Sequence, residues 1–195
     1  MSNYFRASIK SVKSEPNDAG GETVTLESLF DKAKVDYSNL DNLHSLAYVA
    51  RKNANGLYDL VMERYRSSHP ADIPNFEMLV ALINLSSEIY MKCIIYFKGL
   101  NNGKACKEGH GLKTYFNKLP EDVKSELKSI DVDFDLKLDI ISDYFTKFRY
   151  SFEFNSISAD LFAFCFAEKL NQVCNSFIIE KPQEVIASQG KVLIQ

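Results

Sequence analysis

FEMLVALINLSSEIYMKCIIYFKGLNNGKACKEGHGLKTYF, residues Phe76 to Phe116, decides the fold. Its first part, about Asn75 to Leu100, places Phe76, Leu79, Val80, Leu82, Ile83, Leu85, Ile89, Met91, Ile94, Ile95 and Phe97 around most of a helical circumference. Such a helix is central and largely buried. A polar loop, Asn101 to Gly109, follows. A second, short helix then opens on Gly109-His110-Gly111-Leu112 and runs to Lys118. Within the long helix the polar exceptions are Asn84, Ser86, Ser87, Glu88 and Lys92. Glu88 and Lys92 are four apart with the acid first, the favoured order for an exposed pair, worth about 0.2–0.5 kcal/mol.

Helical spacing continues on both sides of this stretch. Upstream, Leu40, Leu43, Leu46, Ala47, Ala50, Leu57, Leu60, Val61 and Tyr65 predict a helix from about Asp41 to Arg66, with Gly56 as a local weakness. Pro70 and Pro74 end it in a loop. Downstream, Pro120 starts a short helix, Glu121 to about Ser129. The alternating acids of Asp131-Val-Asp-Phe-Asp read as a linker, since they lack the glycine and distal glutamate of a calcium loop. A third long helix is expected over about Leu136 to Glu153, with Ile140, Ile141, Tyr144, Phe145 and Phe148 on one face. A break at Asn155 leads, with Ser158 as cap, to a last long helix from Ala159 to about Ile179. Leu161, Phe162, Phe164, Phe166, Leu170, Val173 and Phe177 make it densely apolar, and the stripe of Phe162, Phe164 and Phe166 reads as core or as a surface for a partner chain.

The expected fold is therefore all-α: an antiparallel bundle of four long helices with short additional helices, over residues 24–181. Residues 1–23 read as a flexible N-terminal tail in which Tyr4 to Val12 docks as a short strand. Thr25 caps a short helix start containing Glu27, Leu29 and Phe30, and residues 182–195 form a C-terminal tail.

Bulk properties narrow the function. A chain of 195 residues with 46% apolar content forms one domain, or one with appendages. A net charge of −3 gives no global attraction to nucleic acid or anionic membrane. Cys93, Cys165 and Cys174 sit among apolar residues and read as buried free thiols in a reducing compartment; neither they nor Cys106 has metal-ligand spacing. The N-terminus lacks the apolar core of a secretory leader, and no uninterrupted run of about 18 apolar residues predicts a membrane span. A cytoplasmic protein with no membrane association and no cofactor is expected. There is no phosphate-cradling glycine loop, no G-x-S-x-G and no H-E-x-x-H. His44 reads as a core or boundary histidine.

Three pieces in order carry a resemblance. They are Glu88-x-x-x-Lys92 on a long helix, Gly109-His110-Gly111-Leu112 opening a short one, and Phe148-Arg149-Tyr150-x-x-Glu153 ending a later one. This arrangement, over about Asn75 to Phe177, resembles the HEPN superfamily. The resemblance implies an all-α four-helix bundle that dimerises. It also implies either metal-independent RNase activity in toxin–antitoxin and phage-defence systems or non-enzymatic binding of a nucleotide or protein. The family's nuclease motif places a His four to six residues after the Arg. Here positions 154–156 after Arg149 are Phe154, Asn155 and Ser156, and Tyr150 replaces the small polar residue. Asn155 cannot shuttle the proton that RNA cleavage requires.

The expected function is therefore non-catalytic binding of RNA, a nucleotide or a partner protein such as a cognate antitoxin. Glu88, Lys92, His110, Arg149, Tyr150 and Glu153 are the candidate ligand-binding residues. Two rivals stand beside it. One is an RNase with His110 and Arg149, or Arg149 and Asn155, as catalytic groups. The other is an interaction protein in which Glu88, Lys92, Arg149 and Glu153 form a structural ion-pair network. Tyr150 is then a core or interface aromatic. Arg64 and His69 also meet the nuclease spacing; with five Arg and three His in the chain this reads as coincidence.

Overall fold

The computed structural model describes residues 7–16, 22–30, 37–67, 76–100, 111–149 and 159–177, with the backbone alone for the first two segments and for residue 149. In chain order the elements are β1 (Ala7–Pro16), β2 (Glu22–Phe30), α1 (Leu40–Ser67), α2 (Phe76–Phe97), α3 (Leu112–Phe116), α4 (Glu121–Lys128), α5 (Phe134–Ile141), α6 (Tyr144–Arg149) and α7 (Phe162–Ser176). Two compact units result, residues 1–36 with 184–195, and residues 37–183. The protein is predominantly helical, as the long apolar periodicities require.

In the first unit β1 and β2 pair antiparallel, from Ala7 opposite Phe30 to Pro16 opposite Glu22. β1 occupies much of the segment read as a polar tail. The helix start expected at Thr25 is a strand instead. Val24 and Leu26 alternate with Thr23, Thr25 and Glu27, a period of two rich in β-branched residues. A register irregularity lies between Ile9 and Ser11. Across it Ile9 pairs with Ser28 and Val12, three residues on, with Leu26, two residues back.

The helical unit begins with a cap the sequence reading missed. Asn39 Oδ1 accepts from the Asp41 N–H at 2.8 Å and the Asn42 N–H at 3.4 Å. α1 then runs 28 residues and buries Leu43, Ala47, Ala54, Tyr58, Val61 and Met62. α2 is the hub: α1, α3, α6 and α7 all pack on it. Two residues past its end at Phe97, Gly99 has a φ of +64°, which is left-handed and favours glycine. By length and composition α2 is the one described helix that could cross a membrane, but most of it is buried inside the protein. It also buries Asn84, Ser86, Ser87 and Glu88. Ser86 and Ser87 are satisfied locally, both hydroxyls donating to the Ile83 carbonyl at 2.8 and 3.1 Å.

The expected third long helix is interrupted. α5 ends at Ile141 and α6 starts at Tyr144. In an unbroken helix the Phe145 N–H would donate to the Ile141 carbonyl. Instead Asn84 of α2 inserts its amide between them: Nδ2 donates to Ile141 O at 2.8 Å, and Oδ1 accepts from Phe145 N at 3.1 Å. A side chain wedged into the hydrogen-bond ladder breaks a helix this way. The freed Ser142 carbonyl accepts from Leu112 N at 3.2 Å, and Ser142 Oγ accepts from Lys113 N at 3.1 Å. The break thus anchors the start of α3. Ile140, expected on the inner face, is 44% exposed.

α7 fills the remaining side of α2. Phe162, Phe164 and Phe166 are all buried, so the aromatic run is core and not a partner surface. Phe164 stacks on Tyr65 of α1 at 4.2 Å, and Phe166 meets Phe134 of α5 edge-on at 5.8 Å. Three further expectations are corrected: Leu161 is 46% exposed, Leu60 is 62% exposed, and the Cys165 thiol faces solvent. The start of α7 is fixed by Asp160, whose Oδ1 accepts from Phe162 N at 2.8 Å; the expected cap Ser158 lies outside the described residues.

Candidate functional site

Glu88 and Lys92 lie on α2, four residues apart, and form a salt bridge. The pair is largely buried. The Glu88 side chain is 2% exposed and that of Lys92 23%. α3 packs on α2 here, and the Lys92 ammonium sits 5.0 Å from the centre of the Tyr115 ring. The Lys118 ammonium stands 5.9 Å from the same ring. Burial pushes the Lys92 pKa down, but the hydrogen bond and charge of Glu88 push it up by more, so Lys92 stays protonated above the ordinary lysine range. Tyr115 is itself fully buried, so its ring offers no face to a base; the two ammonium groups over it supply positive charge, the chemistry that takes a phosphate.

The other candidate residues are placed by their elements. His110, Tyr150, Glu153 and Asn155 lie outside the described residues, as does His69. Residue 111, next to His110, leads straight into α3. Arg149 is the last residue of α6, and α6 packs on α2. The topology therefore brings the elements bearing Glu88, Lys92 and Arg149, and the one following His110, onto one helix. Arg64 is exposed in the last turn of α1. His44 is an exposed residue stacked on Phe97 at 5.5 Å, a boundary and not a core position.

A second polar cluster escaped the sequence reading. Tyr90 of α2, fully buried, donates to Asn55 Oδ1 of α1 at 2.8 Å and accepts from Asn171 Nδ2 of α7. Asn55 Nδ2 donates to Asn175 Oδ1 at 3.2 Å, and Asn171 Nδ2 also reaches Asn55 Oδ1 at 3.3 Å. Three helices are tied through one phenol. Asparagine is a poor helix former, so Asn55, Asn171 and Asn175 inside helical patterns were the available signal. Burial raises the Tyr90 pKa strongly. Its neutral form is thus favoured by folding, and that stability is present below about pH 10, the unfolded value, and lost as pH rises toward the folded one. Tyr90→Phe is expected to destabilise by about 1–2 kcal/mol by leaving Asn55 and Asn171 short of a partner. It should also flatten alkaline unfolding. Urea titrations at neutral and high pH check both.

Beside this cluster the Cys174 thiol donates to the Tyr90 carbonyl at 3.4 Å, and burial together with Cys93 raises its pKa. Asp131, read as part of an acidic linker, pairs with Lys137 and accepts from the Asp133 N–H at 2.9 Å. Its carboxyl is held below the ordinary range by Lys137 first and by that N–H second. Among the described residues no three His, Cys, Asp or Glu side chains converge on a common point to hold a metal ion. Compared with family models, curated proteins and solved structures, the chain matches none.

Proposed function

We propose that the helical unit is a HEPN-like four-helix bundle, with α5 and α6 together as its interrupted third member, and that it acts by binding and not by catalysis. Its ligand is phosphate-bearing, RNA or a nucleotide, taken at the edge where α3 packs on α2. The observation that carries this reading is the placement of the Lys92 and Lys118 ammonium groups 5.0 and 5.9 Å from the Tyr115 ring. Arg149 ends α6, which packs on α2; His110, Tyr150 and Glu153 lie outside the described residues, and the ligand-binding role proposed for all four rests on the resemblance. A cytoplasmic defence or toxin–antitoxin setting, with a cognate antitoxin as protein partner, rests on the resemblance alone. The enzyme rival, an RNase using Arg149 with His110 or Asn155, needs a titrating group that Asn155 does not supply.

A specific observation favours a second, purely structural reading of part of this cluster. Glu88 is buried beside Lys92 on α2, and Lys92 lies over Tyr115 of α3, so the pair has a packing role whether or not a ligand binds. Titration of fluorescently labelled single-stranded RNA separates the two. Binding is expected to weaken steeply with salt, and Lys118→Glu should reduce it about tenfold while leaving the fold intact. RNA affinity unchanged by Lys118→Glu, or no binding at low salt, contradicts the ligand site.

A further inference from the structure

Val132, in the turn before α5, and Leu136 and Ile140 on α5 follow one another at four-residue steps. All three are turned to solvent: Val132 is 100% exposed, Leu136 64% and Ile140 44%. At 3.6 residues per turn each step of four rotates by only about 40°, so the three make one row. The other residues of this outer face are acids. Asp133 and Asp139 flank Leu136 at about 60° on opposite sides. Asp143 follows beyond the break at Ser142, and all three acids are exposed. Single apolar side chains on a surface are ordinary, but a row of them rimmed by one sign of charge marks a contact surface. The charge extends past the row. Residues 120–143 hold eight Asp and Glu against three Lys, a net −5 within a chain of net −3. Lysines from other helices pair with three of these acids, Lys113 with Asp139, Lys147 with Asp143 and Lys169 with Glu126, and the surface stays negative. Exposed pairs of this kind are weak, so the cations of a partner compete for the same carboxylates.

We propose that this outer face of α5 docks a basic amphipathic helix of a partner protein. The row sets the shape of the partner. Side chains four residues apart form a ridge, and a ridge packs into the groove between the corresponding rows of another helix. The rim sets its charge. The partner helix carries large apolar side chains on one face and Lys or Arg on both flanks, one flank meeting Asp133 and the other Asp139. The same charge excludes two other covers. A second copy presenting this face would set acid against acid, and a bilayer of anionic lipid would be repelled. Three apolar side chains bury little area, so the contact is transient and weakens with salt. It does not depend on the ligand site at α2 and α3, whose lysines attract the opposite charge.

Fluorescence anisotropy of a labelled helical peptide, titrated with the full chain, tests this. The probe is made of leucine and lysine alone, with the leucines on one helical face. Its controls are the same peptide with glutamate for lysine, and a scrambled leucine–lysine peptide of the same composition. The lysine peptide is expected to bind, less tightly as salt rises; the glutamate peptide should not bind, and the scrambled one should bind at least about tenfold more weakly. The double variant Leu136→Ser with Ile140→Ser should weaken binding about tenfold, and Asp133→Lys with Asp139→Lys by a similar factor. Substitutions at such exposed positions leave the urea midpoint close to wild type, which confirms that the variants are folded. RNA affinity should be unchanged by Leu136→Ser with Ile140→Ser, so failure here is distinct from failure of the ligand site. Absence of binding by the lysine peptide overturns the proposal. So does binding indifferent to Leu136→Ser with Ile140→Ser, equal binding of either control, or retention of the wild type on phosphatidylserine vesicles that this double variant abolishes.

Discussion

Asn84→Leu is expected to destabilise the protein by about 3 kcal/mol, among the largest effects of any single polar substitution here. Leucine has a similar volume, so little of the loss comes from packing. The loss comes from the Phe145 N–H and the Ile141 carbonyl, which the Asn84 amide serves as acceptor and as donor. Both bonds are removed in a site where Asn84 is 1% exposed. The backbone could recover by closing the Phe145-to-Ile141 bond, but only by moving Ser142 away from Leu112 and Lys113. Asn84→Asp distinguishes donor from acceptor. It keeps an acceptor for Phe145 but turns a carboxylate toward the Ile141 carbonyl, and is expected to cost at least as much as leucine. Urea unfolding gives the magnitudes. Amide exchange localises the effect, with Phe145 and Leu112 losing protection before the middle of α2. Asn84→Leu within about 0.5 kcal/mol of wild type would show that the break in the helix is held by something else.

Lys92→Met carries the second large effect. Glu88 would be left buried without its salt-bridge partner, which is expected to cost about 3 kcal/mol at neutral pH. Two companions identify the cause. The double variant Glu88→Gln with Lys92→Met should regain most of the loss, because no lone charge remains. The single variant should recover stability as the solution is acidified and the stranded carboxyl takes up a proton. Equal losses at every pH would mean that Lys92 matters through its aliphatic stem over Tyr115 and not through its charge.

Much of the fold was legible because it is local. α1, α2 and α4 lie within a few residues of where apolar spacing and the Pro120 start put them. The hub role of α2 followed from an apolar surface that runs almost all the way round. What was not legible is set by residues far apart in sequence. Nothing in Ile141-Ser142-Asp143 marks a helix break, because the wedge is Asn84, 57 residues earlier. The Glu88–Lys92 spacing looks the same whether exposed or buried, and it is the packing of the other helices around α2 that takes Glu88 out of water. The Tyr90 cluster needed three helices to meet before its asparagines had a purpose. At Thr25 the competing periods of two and 3.6 overlapped over too few residues to separate, and pairing with β1 decided for a strand.

Binding without cleavage can be read from a single gel experiment. Labelled total RNA is incubated with excess wild-type protein and chelator, alongside Arg149→Ala, and resolved both under native and denaturing conditions. A salt-sensitive mobility shift is expected under native conditions, with full-length RNA after denaturation for either protein. Metal-independent fragments produced by the wild type and lost with Arg149→Ala would contradict it and establish an RNase.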